Sequence, residues 1–361
     1  MKGATAAGLK VVLCFSEMSR WGSSAPADNA QFFIYPPKRW DDLGHFVEKV
    51  VARLGKYVTA WEIWNEPVIP WGWKGSAQDI VTLHRVIHDA IRRVRPDALI
   101  LGPCINEGNV PTLADSTFQA VLPLGILQYC DGLVIHPYRE PQGPEATFFF
   151  EELGQLRRLE AEHRVRQGTW ITEIGWSSAE YPWSPKVKVS EVEQAAYLVR
   201  SVVAAVAQQV RLYNWHVLRE SDVPDPHERA YGLVRARDGG PKPGFVAYAL
   251  CAHHLAQARF VRRLTGVGRA CPASQVAGEP RWKELRPASI RAVDGYWFEK
   301  AGKPLLVAWS ISGREETIEL PAAGEVQMED ALGSATRRKS QSGKVSLTLS
   351  GMPVYVSGLS Q

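Results

Sequence analysis

The sequence predicts an α/β fold of parallel strand–helix units followed by a smaller β-sandwich, and two observations predict it. Up to residue 265, short apolar runs alternate with amphipathic helical patterns, which is typical of parallel βα units. Beyond that residue, short strand-like runs are separated by glycine, serine and charged turns, which is typical of a sandwich. We therefore predict a first domain at residues 1–265 and a second at residues 266–361.

Six strands are expected in the first domain. Apolar runs of their length suit strands that are buried on both faces of a parallel sheet. The predicted strands are Leu9–Phe15, Val58–Trp64, Ala98–Ile105, Gly132–His136, Thr169–Trp176 and Arg211–Leu218.

Helical segments separate most of these strands. Pro96 ends the second helix, and Ser190 with Glu193 has the spacing of a capping box at the start of the fourth. The predicted helices are Asp41–Leu54, Ala77–Arg95, Phe148–His163, Ser190–Gln209 and Gly244–Ala258. This alternation fits a closed barrel or an open doubly wound sheet. A dinucleotide-binding version is disfavoured because no G-x-G-x-x-G follows the first strand, and no G-x-x-x-x-G-K-S/T phosphate loop is present.

The second domain is predicted to consist of short strands. The boundary falls in the Gly266–Gly278 segment, where alternating strand and helix patterns give way to short strand-like runs separated by turns. The clearest strand-like runs are Gly295–Phe298, Leu305–Ser310, Thr317–Leu320 and Val345–Leu349.

Composition narrows the class of protein. The chain is 45% hydrophobic and 22% charged with a formal net charge of +4, which is ordinary for a soluble globular protein. The sequence contains no dense run of basic residues of the kind that binds nucleic acid. No apolar run is long enough to span a membrane, and the N-terminal residues lack a signal-peptide pattern. A cytoplasmic location is therefore expected for the sequence as written, and a secreted one if the true N-terminus lies upstream.

Five widely spaced cysteines predict free thiols. Cys14, Cys104 and Cys130 lie in or beside apolar runs and are interpreted as small buried hydrophobic residues. No C-x-x-C motif or histidine-rich cluster indicates a metal site, so we expect neither a metal nor another cofactor.

Two glutamates carry the strongest chemical signal. Glu66 ends the segment WEIWNEP at positions 61–67, and Glu173 lies in WITEIGW at positions 170–176. Each follows an apolar strand, and catalytic groups of βα barrels lie at the carboxyl ends of strands. An ionised carboxylate is costly to bury without a partner. The alternative is that each glutamate caps a helix or pairs with an arginine, but two such residues with this flanking sequence favour paired catalytic carboxylates.

The two segments resemble a known group of enzymes. WEIWNEP is similar to the acid/base motif of clan A retaining glycoside hydrolases, and TEIGW is similar to the nucleophile strand of that clan. The closest families in character are family 39, which is β-xylosidase-like, and family 5. The resemblance implies a (β/α) TIM-type barrel with a C-terminal sandwich. It also implies that Glu66 is the general acid/base, that Glu173 is the nucleophile and that no cofactor is needed.

The same resemblance implies residues that bind the sugar. Asn65 is expected to hydrogen-bond the 2-hydroxyl, Tyr138 to hydrogen-bond the nucleophile, and His136 to contact the sugar or a carboxylate. For Asn65 the alternative is strand-end capping, and for His136 it is a buried structural histidine. Trp215 is expected to form a platform beneath the reactive sugar. Further subsites could be built from Trp71, Trp73 and Trp176, for which core packing is at least as good an interpretation.

Counting strands within this resemblance exposes a gap. If Glu66 closes the fourth barrel strand, Leu9–Phe15 is the third, and only the third to eighth strands are recognisable. Six strands do not close an eight-stranded barrel, and open edges invite pairing with another chain. Three explanations are open: a start site placed too far downstream, a naturally incomplete barrel, or a second chain that covers the opening. We favour an incomplete barrel that associates as a homo-oligomer.

The sequence supports three functional hypotheses. The first is a retaining β-glycoside hydrolase acting on an oligosaccharide, a polysaccharide or a small β-glycoside, without nucleic-acid or membrane partners. The second is a carbohydrate-binding protein, catalytically weak or inactive, on a truncated barrel. The third and weakest is an NAD- or phosphate-binding α/β enzyme, which the missing glycine-rich loops disfavour.

Overall fold

The structure, a computed structural model, describes residues 1–67, 72–105, 117–182, 184–265, 267–272 and 289–360. These residues form two compact units. The first unit comprises Met1–Pro137 with Gln155–Glu173, and the second comprises Tyr138–Gly154 with Ile174–Gln361.

Parallel strands form the centre of the first unit. They pair in the order of the sequence, each with the next, so their carboxyl ends lie at one edge of the sheet. Phe15 lies opposite Ile63, and Ile135 lies opposite Ile171. The strands are β1 (Val12–Phe15), β2 (Ala60–Ile63), β3 (Ile100–Ile105), β4 (Gly132–Ile135) and β5 (Thr169–Ile174), whose last residue is counted in the second unit.

Helices connect these strands as the hydrophobic patterns predict. Ser76 caps its helix with a capping box: Asp79 N–H donates to Ser76 Oγ at 3.1 Å, and Ser76 N–H donates to an Asp79 oxygen at 2.8 Å. The helices are α1 (Lys2–Ala6), α2 (Trp40–Leu54), α3 (Ala77–Val94), α4 (Thr117–Val121) and α5 (Phe149–His163), with 3₁₀ turns at Phe32–Ile34, Gly55–Tyr57, Ile126–Tyr129 and Pro144–Thr147.

The core of the first unit lies between the sheet and its helices. Both β2 and β3 are buried along their whole length, as expected for strands covered on both faces. Leu83 and Ile87 of α3 are completely buried, which accounts for the apolar stripe of that helix.

The second unit continues the strand–helix pattern before its character changes. The His216 N–H donates to the carbonyl of Ile174, the last residue of β5, at 2.8 Å. Ser190 forms the predicted capping box with Glu193. From Ile174 onward its elements begin with β6 (Glu180–Tyr181), β7 (Ser184–Lys188), α6 (Glu191–Ala207), β8 (Leu212–Trp215), α7 (Pro226–Arg229) and α8 (Pro243–Leu255).

Antiparallel strands make up most of the remaining residues that the structure describes. One six-stranded sheet contains Arg259–Arg263, which precedes the predicted domain boundary at residue 266. The strands are β9 (Arg259–Arg263), β10 (Ala270–Pro272), β11 (Ser289–Arg291), β12 (Val293–Lys300), β13 (Lys303–Ser310), β14 (Glu316–Pro321), β15 (Glu325–Asp330), β16 (Ala335–Lys339), β17 (Lys344–Leu349) and β18 (Val354–Ser357). The six-stranded sheet has the order β16-β15-β18-β13-β12-β9, while β14 pairs with β17 and β10 with β11.

The predicted fold class is confirmed. All six strands predicted for the parallel part are present, each shorter than the run that predicts it, because the run extends past the regularly paired segment at one or both ends. The second part is antiparallel, as its turn-rich sequence indicates. Cys14, Cys104, Cys130 and Cys251 are free thiols. Within the described part of the chain, no helix is both long enough and apolar enough to cross a bilayer.

Candidate active site

Three of the predicted residues come together at the carboxyl edge of the parallel sheet. The Nδ1 atom of His136 lies 2.8 Å from Glu66 Oε1 and 3.8 Å from Glu173 Oε2. One oxygen of each carboxylate and a nitrogen of His136 all lie within 4.8 Å of one another. Glu66 follows β2, His136 follows β4, and Glu173 lies near the end of β5. The three side chains converge because parallel strands bring their carboxyl ends to one edge.

The chain reaches this geometry through unusual backbone angles. Trp64 and Glu66 have φ angles of 64° and 50°, in the left-handed region that non-glycine residues seldom occupy. Such conformations cost about 1–3 kcal/mol each and are concentrated at functional sites, where the surrounding structure holds them. The Glu66 side chain remains 15% exposed and that of Glu173 29% exposed, so both can be reached from solvent.

A third carboxyl group, which the sequence did not single out, lies beneath the first two. The side chain of Glu62, on β2, is 5% exposed, and its Oε1 accepts a hydrogen bond from the Thr172 hydroxyl at 3.3 Å. Burial raises the pKa of Glu62 to about 7; His136 and Thr172 lower this pKa, while Glu173 and Glu66 add to the rise. The sequence signal that could have found it is a carboxylate inside an otherwise apolar strand.

His136 is almost completely buried among these carboxyl groups. Burial by itself would lower its pKa, but the hydrogen bond with Glu66 and the charges of Glu173, Glu66 and Glu62 outweigh burial and raise it. Its Nε2 lies 3.0 Å from Thr172 Oγ1 and 3.8 Å from Glu62 Oε1. The imidazole therefore bridges all three carboxyl groups, and their charges favour its protonated form.

Two thiols line the side of the site that faces the protein interior. Cys14 on β1 and Cys104 on β3 face Glu62, and burial together with the Glu62 charge raises the pKa of both thiols well above its usual value. They remain protonated, which agrees with the interpretation of these cysteines as packing residues.

The spacing of the site could also accommodate a metal ion. Donor atoms of Glu66, His136 and Glu173, and likewise those of Glu62, Cys104 and His136, lie within 4.8 Å of one another. The second set would need a deprotonated thiol, against the raised pKa of Cys104. Both ring nitrogens of His136 already have hydrogen-bond partners, which accounts for the clustering without an ion. We assign no ligand set, and a metal-independent site stays a prediction.

The other predicted residues of the first unit have different environments. Asn65 is half-buried and precedes Glu66 directly, so its contact with a sugar hydroxyl stays a prediction. Trp73 is 5% exposed and packs edge-to-face on Trp64, with ring centroids 5.1 Å apart, which favours the core-packing alternative. Trp71 lies outside the described residues.

Three predicted residues belong to the second unit. Tyr138 is half-buried and its ring contacts Tyr231 edge-on at 5.7 Å, so its bond to the nucleophile stays a prediction. Trp176 is completely buried, and its indole N–H donates to Gln142 O at 2.8 Å, which favours core packing. Trp215 is 6% exposed and donates its indole N–H to the carbonyl of Tyr231 at 3.0 Å. Its environment also favours packing, and its role as a platform stays a prediction.

The second unit contains a buried polar cluster that sequence reasoning missed. Glu140 Oε1 lies 3.1 Å from His227 Nε2 and accepts the Tyr231 hydroxyl, while its Oε2 accepts the Ser177 N–H at 2.9 Å. Glu140 follows the HPY segment at positions 136–138 without a distinguishing pattern. Its partners come from distant parts of the chain, so no local signal could have identified the cluster.

Comparison with known proteins gives matches in structure only. No protein-family model and no curated protein matches the chain. A family 39 glycoside hydrolase from Bacteroides cellulosilyticus WH2 has a TM-score of 0.73 and 22% identity, over 99% of this chain and 69% of that one. A family 30 endoxylanase from Clostridium papyrosolvens C71 has a TM-score of 0.57 and 12% identity, over 99% and 81%.

A third similar structure is named for its activity. A monomeric β-xylosidase from Caulobacter crescentus CB15 has a TM-score of 0.56 and 16% identity, over 98% of this chain and 82% of that one. These structural neighbours confirm, at the level of the fold, the resemblance drawn from WEIWNEP and TEIGW. The chain has the fold of family 39 and family 30 glycoside hydrolases.

Proposed function

We propose that the chain is a retaining β-glycoside hydrolase in which Glu66 is the acid/base and Glu173 the nucleophile. The observation that carries the proposal is the closeness of the two carboxylates, whose nearest oxygens lie within 4.8 Å. Carboxyl groups about 5–5.5 Å apart allow direct attack on the anomeric carbon, whereas inverting enzymes need about 6.5–9.5 Å to admit a water molecule.

The proposed reaction has two displacement steps. Glu173 attacks the anomeric carbon while Glu66 donates its proton to the leaving oxygen, and a covalent glycosyl-enzyme forms. Glu66, now ionised, then removes a proton from the water that attacks this intermediate, so that both residues return to their first state. The resemblance adds Asn65 as a contact to the 2-hydroxyl, a bond that strengthens in the transition state.

The proposed substrate is a β-linked carbohydrate. A structural neighbour named as a β-xylosidase and another named as an endoxylanase make aryl β-xylosides the first substrates to test. Aryl β-glucosides, β-galactosides and β-mannosides complete the panel, because glucose differs from xylose by one hydroxymethyl group, and galactose and mannose each differ from glucose in the configuration of one hydroxyl.

The decisive experiment compares the wild-type chain with Glu173→Gln on this panel. We expect turnover of at least one sugar and its loss in the variant, because an amide cannot act as the nucleophile. Glu315→Gln, at an exposed residue of the second unit, is the matched control and should keep full activity. Undiminished turnover by Glu173→Gln would remove the nucleophile assignment.

Azide distinguishes the two roles. In Glu66→Ala, a substrate with a good leaving group should still form the glycosyl-enzyme, and azide should then release a β-glycosyl azide. In Glu173→Ala, azide should instead attack the substrate directly and give the α-glycosyl azide. The opposite pair of products would exchange the two assignments.

The alternative is a carbohydrate-binding protein with weak or no catalysis. It would be favoured if the folded chain bound oligosaccharides, as measured by calorimetry, and hydrolysed none of the panel. In that case Glu66→Ala and Glu173→Gln would change binding rather than turnover.

A further inference from the structure

We propose that Glu62, Thr172 and His136 form a proton relay that stores a proton at Glu62 and delivers it to Glu66. Glu62 and Thr172 are then positioning residues, because they act on the substrate only through Glu66. This inference rests on the proposed function, in which Glu66 is the acid/base.

The relay is a continuous line of polar contacts. Glu62 Oε1 lies 3.3 Å from Thr172 Oγ1, and Thr172 Oγ1 lies 3.0 Å from His136 Nε2. On the other side of the ring, His136 Nδ1 lies 2.8 Å from Glu66 Oε1. The Glu62 and His136 side chains are 5% and 2% exposed, so bulk water does not compete for these contacts.

The hydrogen bonds of the relay can point in either direction without a change in the number of protons. The Thr172 hydroxyl carries one proton, so it can donate either to Glu62 or to His136. When Glu62 is ionised, the hydroxyl donates to Glu62 and accepts the Nε2–H of His136. Nδ1 of a neutral ring is then an acceptor, and it accepts the proton of a protonated Glu66, which is the form required of a general acid.

The reverse arrangement holds the same number of protons. Glu62 donates its proton to the Thr172 oxygen, the hydroxyl donates to Nε2, and the Nδ1–H donates to ionised Glu66. Passing from this state to the first moves three protons by one hydrogen bond each, breaks no bond between heavy atoms, and leaves Glu62 ionised and Glu66 protonated. An imidazolium between two carboxylates is the intermediate state.

The electrostatics of the described residues support this exchange. The pKa of Glu62, raised by burial to about 7, places its proton loss near neutral pH, and the raised pKa of His136 makes the imidazolium accessible. Both neighbouring thiols remain protonated and so supply no competing charge. Among the residues that the structure describes, the titratable groups that face Glu62 from the adjoining strands and loops are Cys14, Cys104, His136, Glu173 and Glu66.

The test uses three variants of the full chain. Glu62→Gln removes the stored proton, Thr172→Val removes the hydroxyl at nearly constant volume, and Thr172→Ser restores it. Thr169→Val is the matched control: it lies on the same strand, and its hydroxyl also donates to a glutamate, Glu160, rather than to the relay.

The first readout does not depend on catalysis. The ring nitrogens of His136 are followed by ¹⁵N NMR as a function of pH, with His136→Asn used for assignment. We expect the wild type and Thr172→Ser to show a second inflection near neutral pH from the ionisation of Glu62. This inflection should be absent in Glu62→Gln, weaker in Thr172→Val and unchanged in Thr169→Val. Identical His136 titrations in all these proteins would overturn the relay.

The second readout is the pH profile of kcat. With a poor leaving group, Glu62→Gln and Thr172→Val should each be slower by about tenfold near neutral pH. The double variant should be no slower than either single one, and Thr172→Ser should be close to wild type. An equal loss at every pH, or additive losses, would indicate a merely structural role and overturn the relay.

The two readouts separate the relay from the proposed function. If no glycoside is hydrolysed but the NMR inflection behaves as described, the proposed function fails and the relay stands as a property of the buried cluster. If hydrolysis occurs and the inflection is absent from the wild type, the function stands and the relay fails. If Glu62→Gln does not fold, the comparison of Thr172→Val with Thr172→Ser tests the relay by the same NMR and kcat criteria.

Discussion

The Nδ1 atom of His136 lies 2.8 Å from Glu66 and 3.8 Å from Glu173, so one imidazole contacts both of the carboxylates proposed to carry the chemistry. This relationship links two groups that must differ in protonation if one is to be an acid and the other a nucleophile. A cationic ring between them stabilises the ionised forms, and a neutral ring can hold the proton of Glu66. The protonation state of His136 therefore controls the protonation of these two carboxylates.

Replacing His136 with asparagine tests this dependence. We expect kcat/KM to fall by about 10- to 100-fold, because a charge-assisted hydrogen bond of this kind is worth about 1.5–3 kcal/mol. Steady-state kinetics on an aryl β-glycoside measures the loss. His45→Asn, at an exposed position of α2, should have no effect. Wild-type rates in His136→Asn would show that the imidazole is only a packing residue.

Glu62 makes stability depend on pH in a defined direction. Its folded pKa of about 7 lies above the reference value of 4.5, so the folded chain binds this proton more tightly than the unfolded chain. The resulting stabilisation is complete below about pH 4.5 and is lost as the pH rises through about 7. Across that window the loss amounts to at most about 3 kcal/mol.

Glu62→Gln removes that dependence. Urea unfolding at about pH 5 and about pH 8 should give a smaller difference in unfolding free energy for the variant than for the wild type. The comparison cancels the titration of groups that the two proteins share. An unchanged pH dependence would mean that Glu62 is ionised throughout this range.

Asp131 joins the start of β3 to α3. Its carboxylate accepts two hydrogen bonds from Arg92 Nη2, at 2.8 and 2.9 Å, and one from the Ile100 N–H at 2.8 Å. Asp131→Asn should lower the unfolding free energy by about 1–2 kcal/mol, since these half-buried, charge-assisted bonds are weakened. Asp97→Asn, at a side chain 80% exposed, is the control and should change stability by less than about 0.5 kcal/mol.

Leu347 lies in the apolar core of the antiparallel part of the second unit, where it is completely buried. Leu347→Ala should reduce the unfolding free energy by about 2–5 kcal/mol through lost burial and the cavity left behind. Ser346→Ala, one residue earlier on β17 and exposed on the other face, should have little effect. Equal effects of the two variants would contradict the assigned faces of this strand.

Sequence reasoning identified the elements of the chain and the edge at which the two main carboxylates lie. Strand period and helix period follow from local side-chain patterns, and a residue directly after a parallel strand lies at the carboxyl edge of its sheet. That is why Glu66 and Glu173 could be paired although they are distant in sequence. The strand ends were less predictable, because apolar residues continue past the regular ladder, as at Val217 and Leu218 after β8, whose carbonyls accept backbone hydrogen bonds from Leu233 and Val234.

The tryptophans show the limit of residue type as a guide. Trp176 and Trp73 have aromatic faces suited to sugars, but both are buried, and an indole serves equally well in a core. Only packing distinguishes these two uses. The cluster of Glu140, His227 and Tyr231 gave no signal at all, because its members are brought together by tertiary structure alone.

The sequence by itself determined the parallel strand–helix order, the antiparallel second part, and the placement of Glu66, His136 and Glu173 at strand ends. These follow from local periodicity and from the direction of the strands. Only the tertiary structure decided that Glu62 lies beneath the site, that Thr172 connects it to His136, and that one imidazole contacts Glu66 and Glu173. The physical reason is that hydrogen bonds and buried charges depend on distances between strands, which the pairing register sets and no local pattern encodes.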